Sequence, residues 1–288
     1  MKARTVLNAL LALVAAALLW LALKQPGDPG SADEQPLLTA LAKDSVSRIE
    51  LRHPRAATMV LERSEARWRM TQPYAIRADA DRINLLLDFL GARSLTRFPA
   101  LEGDLGKYGL AEPNSVLILN DQRFEFGIQH PLAPNRYVRS GDTVHLVTDI
   151  INQHLNSGVE SYIDPRLLDE DFAIASITVP GLTVEQRDGR LRASTGSGSA
   201  DTVARFIEEW RHARAMEVRA MAEEDRKRGA TETVHIVGGD GGVIEYAVLA
   251  REPALRLGRM DLGIVYEFPA ETAARLMALD PAAAATQR

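Results

Sequence analysis

The sequence predicts an α+β protein in which two similar units follow an N-terminal membrane anchor, and three observations lead to this prediction. An apolar run opens the chain, short segments of alternating apolar and polar residues recur in both halves, and each half holds one amphipathic helix. With 288 residues, 46% apolar and 25% charged, the composition is that of a globular protein. We therefore expect two curved, mostly antiparallel sheets, each with a packed helix.

The first element is an uncharged segment over residues 6–23, VLNALLALVAAALLWLAL, which is at the lower limit of length for a helix that crosses a bilayer. Lys2 and Arg4 precede it, and this basic bias favours a cytoplasmic N-terminus. A cleaved signal peptide stays open as an alternative, although the segment ends without the small residues that cleavage requires. A buried helix of a soluble protein is disfavoured because the segment is apolar on every face. We expect a single-pass, uncleaved anchor in a bacterial inner membrane, with the bulk of the chain periplasmic.

A stretch rich in Pro, Gly, Ser and acidic residues, QPGDPGSADEQP over 25–36, follows the anchor and is typical of a flexible stalk. The segment between the two halves is short and holds few flexible residues, so we expect the units to pack together. The last residues, PAAAATQR, have little to bury and should be frayed. The predicted domains are residues 1–24 (membrane anchor), 25–44 (stalk), 45–156 (first unit), 157–172 (connector), 173–280 (second unit) and 281–288 (disordered tail).

In the first unit, alternation predicts strands near 45–51, 58–63 and 68–70. Asp79 can cap a helix whose apolar residues fall on one stripe: Ile83, Leu86, Leu87 and Leu90. An extended segment at 94–98 and a polar, glycine-containing loop through Leu110 come next. Four more strands and a short helix complete the unit, at 116–119, 124–126, 137–139, 144–147 and 149–155.

The second half repeats this order. A strand at 173–179 precedes a hairpin that turns at Asp188-Gly189, and Ser199 can cap the second helix. The apolar stripe of that helix lies 120 residues after the first stripe: Val203, Phe206, Ile207 and Trp210. The same spacing links positions in several strands: Phe98 and Val218, Phe124 and Ile244, Phe126 and Tyr246, Val144 and Ile264. One spacing shared by a helix and several strands predicts an internal duplication.

Charge and composition argue against several classes of function. The formal net charge is -5 and the 34 basic residues are spread among 39 acidic ones, so nucleic acid is not an expected partner. The absence of cysteine rules out disulfides, thiolate nucleophiles and cysteine-ligated metals. The six histidines have no metal-binding spacing, Gly238–Gly242 indicates a hairpin turn, and the charge run Glu223–Arg228 indicates an exposed loop. We expect no catalytic residue, no metal and no cofactor.

Four short motifs stand out in the first unit: Trp68-Arg-Met-Thr-Gln-Pro73, Lys107-Tyr-Gly-Leu-Ala-Glu-Pro113, Phe126-Gly-Ile128 and Arg136-Tyr-Val138. Together they resemble the family catalogued as domain of unknown function 4340, and the resemblance covers most of residues 45–180. It implies a membrane-anchored envelope protein, and many such proteins are encoded beside gliding-motility-type ABC transporter components. The resemblance brings no catalytic residue. The second unit departs from it, because Arg228-Gly229-Ala230 stands where Tyr-Gly-Leu would.

The candidate site residues are the motif residues Trp68, Pro73, Tyr108, Gly109, Leu110, Pro113, Gly127 and Tyr137. Their residue types favour a structural role: a glycine can adopt a backbone angle that a side chain would oppose, a proline stiffens the approach to a strand, and a tyrosine or tryptophan buries a large surface. A partner-binding loop is the alternative. If the loop binds a partner, only the first unit is expected to keep that surface.

Two hypotheses about function follow. The leading one is a non-catalytic, membrane-anchored periplasmic accessory protein that contacts an ABC transporter permease or another envelope protein. The alternative is an envelope enzyme that acts on glycan or lipid through carboxylates or histidines brought together across the units. A passive binding module for a small ligand or polysaccharide also remains open.

Overall fold

The computed structural model describes residues 35–65, 67–187, 190–194, 199–230 and 232–279. The predicted membrane anchor, residues 25–34 of the predicted stalk, the predicted turn at 188–189 and the predicted tail lie outside the described residues. Among the described residues, no helix has the length and apolar character needed to cross a membrane.

Two antiparallel sheets form the protein, which confirms the predicted α+β class. The first sheet has nine strands in the order β4-β3-β2-β1-β6-β7-β8-β9-β5. Its strands are β1 (Arg48–Arg52), β2 (Met59–Ser64), β3 (Arg67–Gln72), β4 (Ile76–Arg77), β5 (Thr96–Pro99), β6 (Ser115–Leu119), β7 (Gln122–Gln129), β8 (Asn135–Ser140) and β9 (Thr143–Thr148).

The second sheet has eight strands in the order β12-β11-β10-β14-β15-β16-β17-β13. Its strands are β10 (Ile174–Val179), β11 (Leu182–Arg187), β12 (Arg190–Ala193), β13 (Glu217–Ala220), β14 (Glu232–Gly238), β15 (Val243–Ala250), β16 (Ala254–Arg259) and β17 (Ile264–Pro269). The described α-helices are α1 (Ala80–Leu87), α2 (Asn152–Leu155), α3 (Ala200–Arg211), α4 (Glu223–Arg228) and α5 (Ala270–Met277).

Both predicted helices begin at their predicted caps. The Asp79 carboxylate accepts hydrogen bonds from the backbone of α1, and the Ser199 hydroxyl accepts one from Thr202 N of α3 at 3.2 Å. The predicted apolar stripes are buried in both helices, and Leu90 lies in the 3-10 turn Asp88–Gly91 that follows α1. Burial of each stripe on its sheet therefore fixes the helices, as their sequence periodicity predicts.

The two sheets share one strand order once β4 is set aside. In the first sheet β1 lies between β2 and β6, and in the second sheet β10 lies between β11 and β14. At the edge of each sheet, β5 pairs with β9 and β13 pairs with β17. The 120-residue spacing persists in the last hairpin, where Val138 opposite His145 corresponds to Gly258 opposite Val265. The edge pairing is shifted by two residues: Phe98 lies opposite Val144, whereas Val218 lies opposite Tyr266. The faces also differ between the units: Phe98 and Val144 lie in a small cluster apart from the main core, whereas Val218 and Tyr266 lie in the main core. The cause is a one-residue offset one strand earlier, because Val138 lies opposite Phe126 and Gly258 lies opposite Ala247.

A short Pro-x-Leu segment joins the edge of each sheet, and the sequence pattern gave no sign of it. Pro36 and Leu38 pair with the residues just before β5, and Pro165 and Leu167 pair in the same way with the residues just before β13. The four bonds run from Leu38 N to Ala92 O (2.9 Å), Ser94 N to Pro36 O (2.9 Å), Leu167 N to Ala213 O (3.2 Å) and Ala215 N to Pro165 O (2.8 Å). Leu38, which falls within the predicted stalk, is buried in the core of the first unit.

The two units contact each other through one continuous apolar core and a cluster of ionised side chains. Asp164 is only 5% exposed. Its Oδ2 atom forms an ion pair with Arg77 Nε at 2.8 Å and accepts a hydrogen bond from Arg166 Nη2 at 2.7 Å. Arg77 also donates to the carbonyl of Leu168. Burial opposes ionisation of Asp164, but the hydrogen bonds from Arg166 and the positive charge of Arg77 outweigh it, so the pKa of Asp164 lies below its ordinary value.

The predicted exposed loop at Glu223–Arg228 is wrong, because these residues form α4. Asp225 of this helix is buried, and its carboxylate accepts a hydrogen bond from Arg256 Nη1 of β16 at 3.0 Å. The run has no apolar stripe, but acidic residues in its first turn and the Glu223–Lys227 pair at i, i+4 favour a helix. Helix α5, which packs on α3, was likewise not predicted.

Candidate functional site

The loop that carries Tyr108, Gly109 and Leu110 is a closed 3-10 turn over Glu102–Tyr108. Gly109 ends it with a φ of 66°, in the left-handed region, and Leu110 N donates to Leu105 O at 2.9 Å. A Cβ at Gly109 would also lie 2.6 Å from Ile128 Cγ2. Glycine is therefore required here for its backbone angle and for the close approach of β7.

Gly127 of β7 lies directly beneath this loop. A Cβ at Gly127 would sit 2.1 Å from Tyr108 O and 3.1 Å from Leu110 Cγ, so the loop backbone rests on the bare backbone of the strand. The pairing of β7 with β8 shifts its register between Phe126 and Gln129, which marks a bulge at this point. The bulge and the glycine together allow the backbone of the loop to pack directly on β7.

Three aromatic rings line the loop on the face of the sheet opposite the main core. The rings of Phe98 and Tyr108 are 5.0 Å apart, and those of Tyr108 and Tyr137 are 4.8 Å apart, in tilted contact. Beneath them, Leu110 and Val144 belong to a small buried cluster. Because the three rings are only partly buried, this aromatic face combines fixed positions with surface that a partner can reach.

A buried arginine contacts β7 from the face of the sheet opposite the loop, and the sequence analysis did not select it. Arg136 is 7% exposed, and its Nη1 donates to Gly127 O at 2.6 Å. Its Nη2 donates to Asp149 Oδ2 and to Asn152 Oδ1, each at 2.9 Å. The residue stands within the motif Arg136-Tyr-Val138, but only the fold shows that it joins β7, β8 and the start of α2. Removing one member of such a buried pair is costly because it strands the other charge.

Trp68 and Pro73 lie away from the other motif residues. Trp68 is buried in the core on β3, with the Arg63 guanidinium 5.5 Å from its ring centroid. Pro73 lies in the exposed turn between β3 and β4. Four strand spacings separate β3 from β7, which is about 19 Å at 4.8 Å per strand. The structure thus gathers Tyr108, Gly109, Leu110, Gly127 and Tyr137 into one surface and leaves these two outside it.

Pro113 borders an open cleft of about 950 Å³ at one end of the first sheet. Its floor includes Leu51, Met59 and Val116, and its polar groups include Arg55 and Glu112. The remaining polar group of note is His53, whose Nδ1 lies 3.3 Å from Asn114 O. The Nε2 atom of His53 is buried and has no hydrogen-bond partner among the described residues.

His145 makes the closest approach of a histidine to a hydroxyl in the first unit, with Nδ1 2.9 Å from Ser94 Oγ. Both residues are buried. Burial, and then the charge of Arg97, lower the pKa of His145, which favours the neutral ring. Within the described ranges, no three His, Asp or Glu side chains are grouped so that they could hold a metal ion.

Comparison with known families gives one match. The model of the family described as Domain of unknown function (DUF4340) matches residues 68–227, which is more than half of the chain. The matched span runs from β3 of the first unit into α4 of the second, so it includes the whole aromatic face. No curated protein and no solved structure matches the chain.

Proposed function

The chain belongs to the DUF4340 family, and from this premise we propose that it is a non-catalytic accessory protein of the bacterial envelope. In this proposal residues 1–24 anchor it in the inner membrane, the described residues lie in the periplasm, and its partner is an ABC transporter permease or another envelope protein. The resemblance set out above supplies the class of partner, and the aromatic face supplies a surface for contact.

The observation that carries the proposal is the way the family motifs assemble. Gly127 and Gly109 allow the loop to approach β7 closely, and Arg136 holds the strand from below. Two partly exposed rings, Tyr108 and Tyr137, are thereby held in fixed positions. Rigid aromatic side chains lose little conformational entropy on binding, which is why they are enriched at protein interfaces.

We also propose that the two units arose by duplication and that only the first kept the contact surface. The shared strand order and the paired Pro-x-Leu segments support the duplication. In the second unit α4 occupies the place of the loop, and Asp225 pairs there with Arg256. Position 228 is an arginine where the first unit has Tyr108, so the aromatic face has no counterpart there.

Site-specific cross-linking tests this proposal with an internal control. Lys107 is next to Tyr108 and its side chain is 70% exposed; Lys227, 120 residues later, is 76% exposed on α4. Each is replaced in turn by a photo-activated cross-linking residue in the full chain, expressed at its native level in its own membranes. We expect the label at 107, but not the label at 227, to form an adduct with a permease subunit or another envelope protein.

Adducts that are equal at the two positions, or an absence of any envelope-protein adduct at 107, would refute the proposed partner surface. The alternative is an envelope enzyme that acts through carboxylates or histidines brought together across the units. The cleft beside His53, whose Nε2 atom lacks a partner among the described residues, lies within the first unit and the start of the connector, and it is the place where this alternative is tested. A turnover of glycan or lipid that is abolished by His53→Ala would favour that alternative instead.

A further inference from the structure

Five of the ten large apolar side chains that are exposed among the described residues lie at one end of the first sheet. They are Leu37, Leu95, Ile128, Leu132 and Ile150. We call this end the N-terminal rim, defined by residues 35–37, 93–95, 128–134 and 148–150. Strand pairing places these segments together, because β9 is antiparallel to both β8 and β5.

Backbone hydrogen bonds connect the rim without a break. Ser94 N donates to Pro36 O, Leu95 N donates to Leu146 O, and Asp149 N donates to Pro134 O, each at 2.9 Å. Leu132 and Ile150 flank the last of these bonds and are 90% and 56% exposed. A side chain as apolar as leucine that is almost wholly exposed at the tip of a fixed loop is an unusual feature of a surface in water.

The predicted anchor reaches the protein at this same rim. Gln35 is the first described residue, and its carbonyl accepts a hydrogen bond from Arg93 Nη1 at 2.8 Å. Eleven residues lie between it and Leu23, the end of the apolar segment. A flexible stretch of that length spans about 20 Å on average and about 40 Å when fully extended. The rim is therefore the part of the described protein that the anchor holds nearest to the bilayer.

Cationic side chains accompany the apolar ones at this end of the sheet. Arg93 lies in the rim itself, and Arg55 follows β1 at the same end. Arg52 ends β1 there but forms an ion pair with Glu50. One exposed carboxylate, Glu112, faces them in the cleft. Apolar tips next to arginines match the boundary between acyl chains and phosphate headgroups, where such groups insert about 5–10 Å.

From this juxtaposition we infer that the N-terminal rim rests on the lipid surface, with Leu132 and Ile150 inserted in the bilayer interface. This inference depends on the membrane anchor of the proposed function. It also fixes an orientation: the loop with Tyr108 and Gly109, which packs on Ile128, then lies close to the membrane. An integral membrane partner could contact the aromatic face in that orientation.

The absence of cysteine makes the test direct, because a single introduced cysteine is the only thiol that a label can modify. Full-length Leu132→Cys and Ile150→Cys variants carry an environment-sensitive fluorophore and are reconstituted in vesicles of phosphatidylcholine and phosphatidylglycerol in equal amounts. Val243→Cys is the control, because Val243 is 58% exposed on the second unit. We expect blue-shifted emission at 132 and 150, quenched by bromine in the upper acyl chain, and neither effect at 243.

Flotation of the vesicles separates this inference from its premise. Protein that floats while labels at 132 and 150 remain as hydrated as the label at 243 refutes the inference and leaves the anchor intact. Protein that does not float with the vesicles refutes the anchor and the inference together. Blue-shifted and quenched emission at all three positions also overturns the inference, because it means that the whole chain adsorbs without a preferred end.

Discussion

Replacing Gly127 with alanine should displace the Tyr108 loop while the core of the protein stays folded. A Cβ at this position would lie 2.1 Å from Tyr108 O, whereas a carbon and an oxygen in contact normally remain about 3.3 Å apart. The loop backbone must therefore move by about 1 Å, and the ring contact of Tyr108 with Tyr137 must change with it. Overpacking of this kind costs about 1–3 kcal/mol.

Gly106→Ala is the matched control in the same loop. A Cβ at Gly106 would meet nothing within 4 Å, so its substitution should change the free energy of unfolding by less than about 0.5 kcal/mol. Urea unfolding of the full chain in detergent, followed by circular dichroism, measures both variants against the parent. Cross-linking from position 107 then reports whether the surface is intact.

We expect Gly127→Ala to lower the unfolding free energy and to lose the adduct at 107, and Gly106→Ala to do neither. Trp68 and Trp210 are buried in the main core, away from the loop, so their fluorescence should stay native in both variants. Equal stability and equal cross-linking of the two variants would show that the close approach at Gly127 does not determine the surface.

Three further predictions concern groups outside the loop. Asp164→Asn should lower the unfolding free energy by about 3 kcal/mol, because it removes the negative partner of two arginines at the junction of the units. Since the pKa of Asp164 is lowered in the folded state, its contribution to the unfolding free energy is present above about pH 3.9 and is lost as the pH falls further. A series of urea unfolding curves from pH 5 to pH 2 should show that loss in the parent and a smaller loss in the variant. His145 has a lowered pKa in the folded state, so stability should decrease as the pH falls below about 6.5, and His145→Gln should reduce that dependence in the same assay. Trp210→Phe should cost about 1–3 kcal/mol in thermal or urea unfolding because it leaves Leu276 O, the acceptor of the Trp210 Nε1 hydrogen bond at 3.0 Å, without its donor.

Local features of the fold could be predicted from the sequence because their causes are local. Asp79 and Ser199 cap their helices through bonds to residues two or three positions away, and the apolar stripes follow from helical periodicity. The helix at Glu223–Arg228 could not be predicted in this way. It has no apolar stripe, and its buried Asp225 is paired with Arg256, a residue 31 positions later in the sequence.

The residues of the candidate site also differ in whether the local sequence could identify them. The motifs pointed to Gly109 and Gly127 by resemblance, but the need for glycine at 127 arises from Tyr108 O on another element. Arg136 gave no signal of its own, since an arginine in a strand is ordinarily exposed. Its burial depends on Asp149 and on a bulge in the neighbouring strand, and neither can be read from spacing.

The two units show how one scaffold can support two different outer faces. Arg136 and Arg256 stand 120 residues apart at the same position of the strand that begins the last hairpin, but they lie on opposite faces of their sheets. Arg136 shares its face with Val138 of the main core, whereas Arg256 shares its face with Gly258, which approaches Met221 and Leu249 of a separate cluster. Arg136 donates to Asp149 and to the Gly127 carbonyl from the face opposite the Tyr108 loop, whereas Arg256 donates to Asp225 of α4 on the outer face of the second sheet. An ion pair that closes the second face with a charged helix excludes the aromatic loop there. The outer faces of the two units differ, and a single aromatic face next to the proposed membrane end fits one contact made by the first unit.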